Sequence, residues 1–267
     1  MPEALFIPAD SGFEPTELAI GPWRHDAQHG GPPSALLAHL TESEVSDNQF
    51  VAFIEVELTK PVPLSLLTTE VSVEVLSRRV SRVRAALLSE GIVVCRSSAL
   101  VLATEEDLPS PNHVAPAPEP VAIPGPDAVE IPPPFGAHTG TAYHRNGVEH
   151  RFARGTFTTA GPAFSWVRLR QPVVAGAEPT GLQRLLAAAD FGSGISAIYD
   201  ASTSVGLINA NLAVTVRRSP VGQWIGLDSE TLLDPNGIGT ATTTLHDELG
   251  IVATATQSLI PIRRLTP

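Results

Sequence analysis

Three groups of residues in the 267-residue chain have the types and spacing for chemistry. The first is Gln28-His29-Gly30-Gly31-Pro32-Pro33. Paired glycines let another group approach the backbone, and the prolines suit a first helical turn. Amides at a helix N-terminus attract an anion or a carbonyl oxygen gathering charge. These residues therefore form either an oxyanion cradle or a plain loop-to-helix turn. His29 is either a base or a hydrogen-bonded loop histidine. The second group centres on Asp190, after Leu185-Leu186-Ala187-Ala188-Ala189 and before Phe191-Gly192-Ser193-Gly194. A carboxylate in that place is either a surface cap or a partly desolvated acid, and desolvation moves a carboxyl towards the range of a general base. The third group is Asn209-Ala210-Asn211, opening the strand Leu212–Val216, with Gln257 on a later strand. Their amides can orient a water or donate to an oxyanion, or simply complete local hydrogen bonds.

The elements that must position these groups follow from periodicity. PPSALLAHLTESE (32–44) and TGLQRLLAAAD (180–190) read as apolar helices. Ile54, Val56 and Leu58 alternate with Glu55 and Glu57, and Val71, Val73 and Val75 with Ser72 and Glu74, as half-buried strands do. Phe152–Thr159 and Ser165–Arg170 read as shorter strands. Ser89-Glu90-Gly91 and Asp247-Glu248-Leu249-Gly250 read as hairpin turns. Ten of the 25 prolines fall between Pro109 and Pro134, where neither helix nor ladder survives them. This stretch divides the chain into 1–108, a connector or surface wrap over 109–134, and 135–267.

The two flanks repeat. Pro61 and Pro220 lie 159 residues apart (220 − 61), as do Gly91-Ile92-Val93 and Gly250-Ile251-Val252 (250 − 91). That offset sets Ser98 opposite Gln257. Each half reads as one apolar helix followed by an antiparallel sheet that wraps it, an α+β arrangement.

Composition limits the partners. Acidic residues number 28 and basic ones 17, a net charge of −11, which argues against nucleic acid. Cys95, the single cysteine, excludes an internal disulfide and a multi-cysteine zinc site, and beside Val93 and Val94 it reads as a buried strand thiol. MPEALFIPADSGFEP has no basic start or apolar core, and no apolar run reaches the ~20 residues of a bilayer span, so a cytoplasmic protein without a membrane span is expected. Lys60, the only lysine beside many arginines, reads as genome base composition.

Trp23 with His29-Gly30-Gly31, LAAADFGSG (186–194), Asn209 through Pro220 with Trp224, and Ala255-Thr256-Gln257-Ser258 together resemble the acyl-CoA thioesterase II family of the thioesterase-like superfamily. The resemblance implies two tandem hotdog folds, each an antiparallel sheet around a central helix, packed as a pseudo-dimer. It implies hydrolysis of acyl-CoA thioesters to free acid and CoA, with no metal and no organic cofactor. In that family an Asp, a Thr and a Gln hold the attacking water. Asp190 and Gln257 match two of them, and Asn209 stands at the Thr position. His29, Gly30 and Gly31 then meet the thioester carbonyl.

A CoA ester facing an acidic protein demands local cations. Arg78, Arg82 and Arg84, read as one strand face with Arg79 opposite, are the first candidates, with Arg217, Arg218, Arg263 and Arg264 beside them. The alternatives are a non-catalytic acyl-CoA or lipid-binding protein, to which Asn209 lends support, and a purely structural assembly module. A homo-oligomer is compatible with the exposed sheet surface.

Overall fold

In the computed structural model the described residues are 3–105, 108–113, 119–132, 140–199, 203 and 205–263. Pro116, Pro118, Pro133, Pro134 and Arg264 lie outside them.

A short hairpin, β1 (Phe6–Ala9) and β2 (Gly12–Pro15), precedes the helix α1 (Gly31–Glu42). Four strands follow: β3 (Gln49–Glu57), β4 (Thr68–Ser77), β5 (Val80–Ser89) and β6 (Ile92–Ala103). After the proline-rich connector come β7 (Val129–Glu130), β8 (Val148–Arg154) and β9 (Ala163–Leu169). Next are the helices α2 (Gly181–Ala189) and α3 (Gly192–Ile195). The chain continues with β10 (Val205–Asn209), β11 (Asn211–Val216), β12 (Trp224–Leu233), β13 (Gly239–Asp247) and β14 (Gly250–Arg263). All strands after the first hairpin join one antiparallel sheet in the order β4-β5-β6-β3-β11-β14-β13-β12-β9-β8-β7, with β10 paired to the far end of β14. β3 and β11 pair at its centre, Val56 opposite Leu212.

α1 is buried almost all round, from Gly31 to Thr41. It packs against β5, β6 and β3, while α2 packs on β12, β9 and β13, and the two helices touch. Leu36, Leu37, Leu185 and Leu186 are fully enclosed, each contributing about 2 kcal/mol of burial. Pro32 and Pro33 occupy the first turn of α1, where an amide hydrogen is not needed. The Thr180 hydroxyl caps α2 by accepting from the Gln183 amide at 3.1 Å.

The two halves repeat pair by pair, at an offset of 158 rather than 159. Val83 faces Ala99, and Ala241 faces Gln257. Thr68 faces Leu88, and Gly226 faces His246. Glu55 faces Ser98, and Ala213 faces Thr256. Each second pair is the first moved by 158. The break in pairing at Ala52 recurs at Ala210, between β10 and β11. Side chains alternate with period two, so one residue of slip changes the face. The counterpart of Gln257 is therefore the buried Ala99 and not Ser98.

The halves end differently. β12 is covered at its edge by β9, β8 and β7. The connector lies across them: Ala122 C=O accepts from the Trp166 indole at 3.2 Å, and Val121 and Ile123 pack on the cluster of Phe164, Trp166 and Trp224. β4, by contrast, ends the sheet with Val71, Val73 and Val75 exposed at 36%, 47% and 75%, so it is not the half-buried strand its alternation suggests. Arg78 sits in the β4–β5 turn and not on a strand face, because the chain reverses between Ser77 and Val80.

Candidate active site

The last turn of α2 delivers Asp190 to the first turn of α1. Its side chain is 4% exposed, and each carboxylate oxygen has its own partner. Asn209 Nδ2, at the end of β10, donates to Oδ1 at 2.8 Å. His29 Nδ1 lies 2.9 Å from Oδ2. The Gly31 amide also points at that nitrogen, at 3.0 Å. Nδ1 has one in-plane valence, so both bonds cannot form together. With the proton on His29, Nδ1–H donates to an ionised Asp190. With the proton on the carboxyl, Nδ1 is free to accept from Gly31.

The two glycines are dictated by close approach. A Cβ on Gly30 would stand 2.6 Å from Asp190 Oδ2, and one on Gly31 would stand 2.6 Å from the Ala187 carbonyl oxygen. What approaches this backbone is the protein's own carboxylate and helix end. The positive end of α1 therefore faces a carboxylate.

Gln257 holds the turn that follows. Its Nε2 donates to the Asp190 carbonyl at 3.2 Å, and its Oε1 accepts from the Ser193 amide at 2.9 Å. It is 2% exposed and braces the backbone of Asp190 from beneath.

Aromatic rings complete the frame. The His29 ring lies 5.1 Å from Tyr143 and 4.6 Å from Phe191. The Tyr143 hydroxyl donates to Ala187 C=O at 2.8 Å, tying the end of α2 to the segment before β8. Burial, aided by the negative charge of Asp190, pushes the Tyr143 hydroxyl far above its usual range, so it remains a donor. His150 lies behind Phe191 at 4.6 Å, and burial pushes its imidazole down to about 3, so it is neutral. Burial first, then Asp190, pushes the Cys95 thiol up, which leaves it inert.

A cavity of about 1140 Å³ opens on Asp190, His29, Gly30 and Asn209. Phe157, Phe191, Ile198, Leu207 and Ile208 give it an apolar wall, and Arg24, Lys60 and Arg263 also line it. Arg78 and Arg82 do not. Arg82 lies on β5 opposite Glu74, Arg84 pairs with Glu74 at 2.8 Å, and Arg79 with Glu105 at 2.6 Å. Arg217 donates to the Ile251 carbonyl, and Arg218 pairs with Asp247. The structure thus brings together His29, Gly30, Gly31, Asp190, Asn209 and Gln257 and leaves Arg78 and Arg82 elsewhere. Tyr143, Phe191 and Lys60 were not foreseen as site residues. Phe191 stands in the LAAADFGSG stretch and Lys60 is the single lysine, but neither observation assigns a site role, and no spacing marks Tyr143.

Among the described residues no group of three or more His, Cys, Asp or Glu side chains is arranged to hold a metal ion, and no helix is long and apolar enough to cross a membrane.

A large antiparallel sheet against two central helices is the arrangement of hotdog-fold proteins, and here a buried carboxylate opens on an apolar cavity. The chain belongs to the acyl-CoA thioesterase family: residues 19–102 match the N-terminal domain of acyl-CoA thioesterases and residues 111–260 the C-terminal domain. It is an acyl-CoA thioesterase, a thioester hydrolase. Solved structures share the fold. A candidate thioesterase II from Thermobifida fusca is 19% identical, with a TM-score of 0.70 over 98% of this chain and 96% of that one. A candidate thioesterase from Novosphingobium aromaticivorans is 22% identical, with a TM-score of 0.68 over 96% and 98%. A protein of unknown function with a hot dog fold from Alicyclobacillus acidocaldarius is 13% identical, with a TM-score of 0.70 over 97% of both. No curated protein sequence is significantly similar to the chain.

Proposed function

We propose that the chain hydrolyses acyl-CoA thioesters at Asp190, within two tandem hotdog units packed as a pseudo-dimer. The observation that carries this reading is one carboxylate gripped by Asn209 and His29, at the start of α1, on the wall of an apolar cavity. The paired registers at an offset of 158 support the tandem architecture.

The acyl group lies along Phe157, Leu207 and Ile208, with the thioester carbon near Asp190. Asp190 accepts a proton from water as the water oxygen attacks the carbonyl carbon. Asn209 spends its two amide hydrogens on Asp190 Oδ1 and the Asn211 carbonyl, so its own Oδ1 is left to accept from that water. The tetrahedral oxyanion collapses, the C–S bond breaks, and the departing thiolate takes the proton from the Asp190 carboxyl. His29 Nδ1–H donates to Asp190 Oδ2 and steadies the carboxylate before attack, keeping its own proton through the step. Gln257 acts as a positioning residue, holding the Asp190 carbonyl and the Ser193 amide.

The test is free-thiol release across a panel of acyl-CoA esters of increasing length. Asp190→Asn keeps the size and the partner oxygen but lowers kcat by about 10²- to 10⁴-fold. Equal rates in wild type and variant would remove Asp190 from the mechanism.

A further inference from the structure

We infer that Lys60, with Arg263, is the phosphate-recognising rim of the cavity, so that the site selects CoA esters over the same thioesters without nucleotide phosphates. This rests on the cavity being the acyl-CoA site.

CoA carries its phosphates at the far end of an uncharged pantetheine arm. A protein of net charge −11 repels such a polyanion unless cations stand where the phosphates arrive. Three cations line the cavity: Arg24, Lys60 and Arg263. Arg24 is claimed by Asp26 through bonds of 2.8 and 2.6 Å. The acids on the same wall are engaged as well. Glu57 pairs with Arg96 at 2.6 Å, and Glu55 accepts from Asn211 at 3.0 Å. Lys60 and Arg263 are exposed, and among the described residues neither forms an ion pair with a carboxylate.

Lys60 is also held in place. It lies between Leu58, whose amide donates to Ala210 C=O at 2.9 Å, and Val62, whose carbonyl accepts from the Gln28 amide at 2.8 Å. The Gln28 side chain donates to Pro63 C=O at 2.8 Å. Pro61 and Pro63 restrict the turn further. The turn that carries Lys60 is thus tied to the residue before His29 and to the one after Asn209. A compact ammonium on a long stem suits a phosphate met as a point charge.

The experiment measures CoA and pantetheine binding by calorimetry at low and high salt, with thiol release from acyl-CoA followed on the same preparations. Wild type is expected to bind CoA about tenfold more tightly than pantetheine at low salt, and high salt should narrow the gap. Lys60→Glu erases the preference, Lys60→Arg keeps it, and Arg263→Glu reduces it. Thermal melts confirm that each variant is folded. A wild type that binds both ligands equally, or a Lys60→Glu variant that weakens both by the same factor, overturns the inference. Binding of CoA that depends on Lys60 without any thiol release would sustain the rim and sink the assignment of Asp190 as base.

Discussion

At two places a carboxylate from the end of one helix meets the start of the other. Asp190, after α2, meets His29 and Gly30 at the start of α1. Glu42, the last residue of α1, meets the start of α2, accepting from the Thr180 hydroxyl at 2.7 Å and Gln183 Nε2 at 3.0 Å. The surroundings differ at the strands. Where the second half has Asn209 and Gln257, the first has Val51 and Ala99 at the matching register. The space differs too: about 1140 Å³ beside Asp190 and about 210 Å³ beside Glu42. Crossing two helix ends is therefore scaffolding common to both places. On the proposed reading, chemistry needs the polar strand residues and room for a substrate. Burial raises the Glu42 carboxyl, while Thr180 and Gln183 oppose the shift.

The sharpest way to break the comparison is to neutralise both acids. Against the loss of about 10²-fold or more expected for Asp190→Asn, Glu42→Gln should keep thiol release within about twofold. Its cost should appear in stability, at about 1 kcal/mol, because the Thr180 and Gln183 bonds lose their charge. Parallel rate assays and urea melts decide this. A Glu42→Gln variant as slow as Asp190→Asn would show that the two helix ends are one functional unit.

Acid sensitivity should separate the halves next. In the second half β9, β8 and β7 extend the sheet past β12, and His150 is buried there on β8. His246, on β13, is lowered by burial too, where the first half has Leu88. A histidine whose folded pKa lies near 3 and whose unfolded value is about 6.5 has no effect above pH 6.5. Below that, the unfolded chain binds the proton and the folded one does not, so stability falls as pH falls from about 6.5 towards 3. Between pH 7 and pH 5 this one group costs about 2 kcal/mol. Urea midpoints at the two pH values should show that loss in wild type and less of it in His150→Phe. An unchanged slope in the variant would clear His150.

Much of this was legible from the residues. Strand alternation, the hairpin turns, both helices and the existence of a repeat follow from period and turn chemistry. The repeat was read one residue long because Gly91 lies in its turn, whereas Gly250 is the first residue of β14; the turns themselves are Glu90-Gly91 and Glu248-Leu249. That single residue changed the partner of Gln257 from an outward serine to an inward alanine. Arg78 leaves the strand face for a related reason, since period two does not continue across the chain reversal between Ser77 and Val80. The contact of His29 with Asp190 joins residues 161 positions apart (190 − 29), which no local pattern encodes. Tyr143 packs its ring about that contact from another segment, equally invisible to spacing, and Phe191, next to Asp190 in sequence, packs beside it.

A further effect probes the one departure from the resembled family. Asn209 does two things for Asp190: it donates to Oδ1, and it ties itself to the Asn211 carbonyl at 3.3 Å. Val51, its counterpart, does neither. Asn209→Val strips the donor from a buried carboxylate and should lower kcat/KM by about 10- to 100-fold, the cost of one such unmade bond. Asn209→Thr restores a single hydroxyl donor on a shape that suits a strand end, and should lose no more than about tenfold. The order Asn, Thr, Val means that one donor to Oδ1 distinguishes the working strand from its silent counterpart. If Thr and Val fall together, the reach of the longer amide matters more than the bond it makes. Val51 would then be silent through the small pocket beside it and not through its missing polar group.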